Sequence, residues 1–293
     1  MIMQVRKVKE IYQVTVKSVI ENGEDLVCGP FEVGKFSDVD LHKLEDFTFT
    51  PITPFISYRI VGSDDYHREN NIKLPKENSY EAGLLAKSLN IEASEIDLQL
   101  TKDNYVVIYH DDYVKYNGSK KYIYQNTFAD LVKFDSSIYE FSEILKVDLY
   151  LNLELKCSCY PVNRRIDLFW AVIDILTKFK RFDRFFFSSF DWFTCFFIKS
   201  LTNCFKSKKF LVLGLICCNF DNIKSMTFEY YSYLDGIVYY YRYVDDNYKK
   251  LFSNLIAENK DIGCYDVITK EEFKKAKKVC NFVISDNLNL NKE

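Results

Sequence analysis

The sequence has no surplus of positive charge: 39 Lys and Arg stand against 42 Asp and Glu over 293 residues, a net charge of −3. A chain that neutralises phosphates along a duplex needs a positive field, so a general nucleic-acid binder is excluded and a small anionic substrate is not. Long apolar runs are missing too. The most apolar stretch, 185–198, is broken by Ser188, Ser189 and Asp191, short of the roughly 18 uninterrupted apolar residues of a membrane span. At the N-terminus, Arg6, Lys7, Lys9 and Glu10 fall where a secretion signal would have its apolar core, so none is expected. No second Cys/His pair at zinc-site spacing accompanies Cys157-x-Cys159 or Cys217-Cys218. The nine cysteines are odd in number and irregularly spaced, with Cys157, Cys195, Cys217 and Cys218 in apolar runs where a reduced thiol behaves as a small hydrophobe. Histidine is scarce: His42, His67 and His110 are all there is. These absences leave a soluble, cytoplasmic protein acting on a small molecule, and 48% hydrophobic residues suffice for a packed core.

Residues 8–33 read as a hairpin, with Val14, Val16 and Val19-Ile20 alternating with polar residues, a turn at Asn22-Gly23, and Leu26-Val27-Cys28 resuming the apolar run. A polar connection follows to Pro51 and Pro54, which puts a domain boundary near residue 54: an extension over 1–54 and a main domain over 55–293. In the main domain, strand-like runs alternate with helical patterns. The strands are expected at 56–61, 94–98, 105–109, 149–156, 185–189, 210–215, 236–239, 263–267 and 281–285. Helices are expected at 77–89, 165–179 and 270–279, the last opened by the capping box Thr269-x-x-Glu272. Such repeated units favour a (β/α)8 barrel over a doubly wound sheet.

Two segments carry chemistry. In a strand, Glu95 and Asp97 share one face while Ile96 and Leu98 take the other, so two carboxylates point together. The turn signal Lys102-Asp103-Asn104 lies midway between Glu95 and His110, and a hairpin there would return the imidazole beside Glu95. In 149–156 the four leucines occupy one face, and Tyr150, Asn152, Glu154 and Lys156 the other. Inside a barrel the leucines would meet the helices and the polar set would line the interior. Glu154 would then be a third oxygen ligand, and three converging carboxylates suit a hard divalent cation, Mg2+ or Ca2+.

At these residues the chain resembles the glycerophosphodiester phosphodiesterases. That family's order of motifs is His-Arg-Gly, Glu-Asn-Thr, Glu-x-Asp, Thr-Lys-Asp-Gly, His-Asp, Glu-x-Lys, a Ser-Phe strand end, a late Trp strand and a terminal Thr-Asp. This chain reads, in order, Glu77-Asn78-Ser79, Glu95-Ile96-Asp97, Thr101-Lys102-Asp103-Asn104, His110-Asp111, Glu154-Leu155-Lys156, Ser188-Ser189-Phe190, Tyr265 and Ser285-Asp286. The resemblance implies a TIM barrel. It also implies Glu95, Asp97 and Glu154 as metal ligands, His110 as one of two acid/base histidines, and Lys156 beside the phosphate. The implied reaction cleaves a glycerophosphodiester, such as glycerophosphocholine, to glycerol 3-phosphate and an alcohol.

The first motif admits two alignments. His67-Arg68 stands ten residues before Glu77, with Glu69 in place of glycine, which makes His67 the second catalytic histidine and Arg68 a substrate-binding residue. Alternatively Ile60-Val61-Gly62, after the first barrel strand, occupies the motif, and the chain lacks its first histidine. The corresponding functional readings are an active metal-dependent phosphodiesterase and a catalytically silent barrel that binds.

Overall fold

The structure is a computed structural model that describes residues 2–8, 11–19, 25–33 and 44–292, apart from 158, 204, 218–227 and 244–245. Near the N-terminus, β1 (Ile2–Val8), β2 (Ile11–Val19) and β3 (Asp25–Val33) form an antiparallel three-stranded sheet, with Val14 opposite Val5 on one side and Phe31 on the other. The expected hairpin corresponds to β2 and β3; β1 was not foreseen, and the turn at Asn22-Gly23 lies outside the described residues.

The main body follows a strand–helix rhythm. Its strands are β4 (Phe55–Ser57), β5 (Ala93–Leu100), β6 (Val106–Ile108), β7 (Tyr113–Tyr116), β8 (Ser119–Tyr122), β9 (Tyr139–Glu140), β10 (Tyr150–Leu155), β11 (Phe185–Ser189), β12 (Val212–Ile216), β13 (Gly236–Tyr240), β14 (Asp261–Tyr265) and β15 (Phe282–Ser285). Between them lie α1 (Asp64–Glu69), α2 (Tyr80–Ser88), α3 (Phe128–Phe134), α4 (Phe141–Ile144), α5 (Val162–Lys178), α6 (Trp192–Thr202), α7 (Phe228–Tyr233), α8 (Asp246–Ala257) and α9 (Lys270–Ala276). Eight parallel strands, β4, β5 and β10 to β15, close on themselves through the β15–β4 pairing, which makes a TIM barrel. Among the described residues no helix is long and apolar enough to cross a membrane.

Alternation decides which side chains go where. Leu149, Leu151, Leu153 and Leu155 join the layer between sheet and helices, and so do Ile96 and Leu98. Ile56, Ala93, Tyr150, Phe186, Leu213, Val238, Phe282 and Ile284 fill the barrel interior. The residue before the barrel that matters most is Phe47: fully buried, it meets Phe182, Phe185 and Phe210 edge-on at 5.4, 5.6 and 6.0 Å. The polar connection is thus pinned to the body it precedes. Thr269 and Glu272 form the expected reciprocal cap on α9.

Two local features differ from expectation. The first barrel strand ends at Ser57 and not at Val61, because Arg59 and Ile60 turn left-handed, with φ of 44° and 77°. The turn is closed by Gly62 N donating to Tyr58 O at 2.7 Å and Asn78 N to Arg59 O at 3.1 Å. The β5–β6 hairpin, with Asn104 at φ 68°, pairs Leu98 with Ile108. That register brings the chain back one residue out of step with a Glu95–His110 pairing, and Tyr109 N closes the ladder on Asp97 O at 3.0 Å.

Gly263 on β14 is the gap into which the Phe282 ring fits, for a Cβ there would lie 2.2 Å from Phe282 Cζ. Gly263→Ala should therefore cost about 1–3 kcal/mol as an overpacked core, read as a thermal midpoint lower by several degrees. An unchanged midpoint would mean that the ring moves aside freely.

Candidate functional site

The register between β5 and β10 sets Asn152 beside Glu95 and Glu154 beside Asp97. All four face inward by the two-residue period, so three carboxylates converge at the C-terminal mouth of the barrel. Ligand oxygens of Glu95, Asp97 and Glu154 lie within 4.8 Å of one another. Their side chains are almost entirely withdrawn from solvent, at 1%, 0% and 6% exposure.

The partners around them are few and specific. Glu95 Oε2 accepts from Arg59 N at 2.9 Å, and Asp97 Oδ2 from Asn78 Nδ2 at 3.0 Å. Lys156 Nζ donates to Glu154 Oε1 at 3.3 Å and stands 3.5 Å from Asp97 Oδ1. Glu95 Oε1 and Asp97 Oδ1 are buried and receive no hydrogen bond, a condition that costs free energy unless a cation satisfies them. Burial, then the negative charges of Asp97 and Glu154, push the Glu95 carboxyl well above the usual carboxylate range. Burial also raises Glu154, against the pull of Lys156. Asp97 goes the other way: burial is outweighed by Lys156, His110 and Arg59 together with the Asn78 hydrogen bond, and its pKa is lowered. For the Lys156 ammonium, burial is overcome by the summed attraction of Glu154, Asp97 and Glu95, which holds it above its ordinary value. Two hard oxygens without donors inside a triad of carboxylates fit a divalent cation of the Mg2+ or Ca2+ kind.

His110 follows β6 on the turn above Asp97. Its Nδ1 contacts Asp111 Oδ1 at 2.8 Å, and because an ionised carboxylate only accepts, this bond leaves Nε2 for the cleft. The turn is held by Gln99, which shares the inward face of β5 and donates from Nε2 to Tyr109 O and Asp111 O at 2.8 and 2.7 Å. His110 lines a cleft of about 300 Å³ together with Arg59, Arg68, Lys76, Glu77 and Asn78.

His67 is not among the residues lining that cleft. It sits on α1, 6% exposed, with Nε2 2.9 Å from Val61 O in the turn after β4. Arg68, on the same helix, reaches the outer wall of the cleft, 74% exposed and paired with the equally exposed Asp65. His42 lies outside the described residues.

The sequence reading passed over Tyr58 and Arg59, which end β4 at the barrel mouth. Arg59 Nη1 donates to both oxygens of Glu77, at 2.9 and 3.0 Å, and its Nε stands 3.7 Å from Asp97 Oδ2. Tyr58 Oη accepts from Arg59 Nη2 at 2.8 Å. Arg59 lies inside the run expected as the strand 56–61, and His67-Arg68 offers the His-Arg pair instead. Ser79 caps α2 and so presents Asn78, whose φ of 56° aims the amide inward. Ser63 N donates to Asp286 Oδ1 at 2.6 Å, tying the turn to the last barrel strand. Tyr265 keeps a ring at the rim, between Phe190 at 6.1 Å and Tyr240 at 5.3 Å. Cys157 and Cys195 are buried as expected, whereas Cys217 is exposed at the end of β12.

Comparison with known proteins agrees with this geometry. Residues 63–288 match the sequence profile described as the glycerophosphoryl diester phosphodiesterase family; the match starts beyond Tyr58 and Arg59, which are read from geometry alone. No curated protein matches the chain in sequence. Among solved structures, a glycerophosphodiester phosphodiesterase from Thermotoga maritima superposes with a TM-score of 0.60 at 22% identity, over 83% of this chain and 98% of that one. A phosphodiesterase from Oleispira antarctica, in complex with the product sn-glycerol-3-phosphate, gives a TM-score of 0.64 at 22% identity, over 82% and 96%. A glycerophosphodiester phosphodiesterase from Parabacteroides distasonis gives 0.63 at 19%, over 82% and 95%. These likenesses show the barrel, and the profile match, which spans well over half of the sequence, shows more: the chain belongs to the glycerophosphoryl diester phosphodiesterase family of phosphodiester hydrolases.

Proposed function

We propose that this chain hydrolyses glycerophosphodiesters, such as glycerophosphocholine, to glycerol 3-phosphate and an alcohol, using a divalent cation, Mg2+ or Ca2+, held by Glu95, Asp97 and Glu154. The observation that carries the reading is the pair of buried carboxylate oxygens without donors in a triad of ligand distance. The Oleispira antarctica relative, solved with sn-glycerol-3-phosphate, supports the substrate class. We take residues 55–293 as the catalytic unit and 1–54 as an accessory extension. The free thiols, Cys157 and Cys195 among them, suit a reducing cytosol.

When bound, the cation would supply Lewis-acid polarisation of the phosphoryl oxygens. The chain's own residues do the rest. Lys156, held charged, binds a phosphate oxygen. His110, oriented by Asp111, takes a proton through Nε2 from the attacking water as its oxygen bonds to phosphorus, and the alcohol departs as its P–O bond breaks, with a proton from solvent. Arg59, fixed by Glu77, takes the buried cationic position beside Asp97, leaving Arg68 to meet the outer part of the substrate. His67, bonded to Val61 O, holds the turn.

Three outcomes are expected. First, purified protein releases glycerol 3-phosphate from glycerophosphocholine, and chelator abolishes release; bound metal with no turnover on any glycerophosphodiester would instead describe a barrel that binds without cutting. Second, His110→Ala lowers kcat by about 10²–10⁴, while His67→Gln stays within a few-fold of wild type. A dead His67→Gln with normal metal binding would return the second acid/base role to His67. Third, Glu95→Gln loses activity without losing the fold. A carboxyl whose pKa is raised on folding favours its protonated form, so the metal-free wild type loses stability as pH climbs from the usual glutamate range through that raised value. Glutamine has no such loss. Metal-free Glu95→Gln should melt no lower than wild type above neutrality, with the gap shrinking on acidification. A markedly lower midpoint would make Glu95 a structural residue.

A further inference from the structure

The functional reading leaves the inner wall of the mouth, on the β4 side, without an assigned role. Tyr58 stands there. Its ring packs with Tyr265 against the residues filling the barrel, and β4, which it directly follows, pairs Ser57 with Ser94, the neighbour of Glu95. The Ser57 and Ser94 hydroxyls meet at 2.9 Å, which fixes the end of β4 on β5. The Arg59 guanidinium carbon lies 4.6 Å from the centre of the Tyr58 ring, and Arg59 Nη2 donates to Tyr58 Oη at 2.8 Å.

We propose that Tyr58 is a catalytic residue of this site, its phenol donating a hydrogen bond to a non-bridging oxygen of the bound phosphoryl group as negative charge gathers on it. The proposal rests on the phosphodiesterase reading above. A phenol oxygen that accepts from Arg59 still has one proton to give, and no described residue takes it. Arg59, Asn78 and Lys156 engage Glu95 Oε2, Asp97 Oδ2 and Glu154 Oε1, and the two oxygens left without donors, Glu95 Oε1 and Asp97 Oδ1, are those that would hold the cation, so in the metal-loaded site an anionic oxygen brought into the mouth is the acceptor left for the phenol. Arg59 is itself clamped on Glu77, so the phenol is held in place and polarised before substrate arrives. Preorganised donors of this kind act on developing charge where water is excluded. Burial, and the negative charges of Asp97, Glu95 and Glu154 against that of Arg59, raise the phenol well above its ordinary pKa. Tyr58 is accordingly a donor and no base, and among the described residues His110 is the one imidazole lining the cleft.

Tyr58→Phe keeps the ring and removes one oxygen. Its kcat on glycerophosphocholine should fall by about 10²–10³, with a much smaller change in KM and unaltered Mg2+ or Ca2+ affinity by calorimetry. Glycerol 3-phosphate should bind the metal-loaded variant more weakly. Wild-type turnover matched by Tyr58→Phe would overturn the assignment and leave the phosphodiesterase reading intact; a wild type that binds metal but never turns over would sink that reading first. Metal affinity falling in step with kcat would mean that Tyr58 only props the carboxylates. If Tyr58→Phe fails to fold, a ring-fluorinated tyrosine at position 58 tests the same point: its stronger donor should bind glycerol 3-phosphate at least as tightly as wild type, and weaker binding overturns the proposal.

Discussion

Three carboxylates buried within ligand distance of each other are the constraint to which the rest of the barrel mouth answers. Isolated, such groups would not stay ionised away from water. Lys156 offsets one charge, and Arg59 stands near Asp97 but spends its bidentate bond on Glu77. The triad is left with more negative charge than its protein neighbours balance, and that remainder can be settled by a proton or by a cation. Burial and the negative charges of Asp97 and Glu154 raise the Glu95 carboxyl well above the ordinary range, whereas at Asp97 burial is outweighed by Lys156, His110 and Arg59. A buried charge imbalance is a poor device for stability and a good one for binding an ion.

The same imbalance explains the backbone around it. Arg59 and Ile60 adopt left-handed conformations, which for a β-branched, fully buried Ile60 is a cost of about 1–3 kcal/mol. The acidic side chains help to hold the turn, with Arg59 N donating to Glu95 Oε2 and the Arg59 side chain to Glu77, alongside the backbone bond from Ile60 N to Glu95 O at 3.2 Å. Glu77 in turn accepts from Asp64 N at 2.7 Å, which seats the start of α1. A strained turn, a clamped arginine and a buried carboxylate thus form one unit, and none of the three is explained without the other two.

The sequence disclosed the parts of this that depend on period and hid those that depend on a single turn. The alternation in 149–156 and in 94–98 is enough to say which residues face inward, because side-chain direction in a strand follows from counting. The leucines and Ile96 duly meet the helices, while Glu95, Asp97, Asn152 and Glu154 meet one another. The hairpin was visible from Lys102-Asp103-Asn104, but its register was not, since one residue of slip is decided by the hydrogen bonds of the turn, here Asn104 N to Thr101 O and Thr101 N to Tyr105 O. Tyr58 and Arg59 were illegible for another reason. Ile56 to Val61 reads as one apolar strand, and nothing in those letters announces that positive φ at Arg59 and Ile60 will end it at Ser57. Once the strand stops there, the arginine leaves the sheet and reaches Glu77.

That early stop also decides what kind of site this is. With β4 continuing to Val61, apolar side chains would have formed the wall opposite His110, and the mouth would have held one imidazole and no donor across from it. Because the strand ends at Ser57, the wall holds a tyrosine bonded to an arginine that Glu77 orients. On the proposed reading, proton exchange falls to His110 and charge stabilisation to Arg59 and the Tyr58 phenol after β4 and to Lys156 after β10. The turn that ends β4 is held by Glu95 and Glu77 together with the backbone bonds of Gly62 and Asn78.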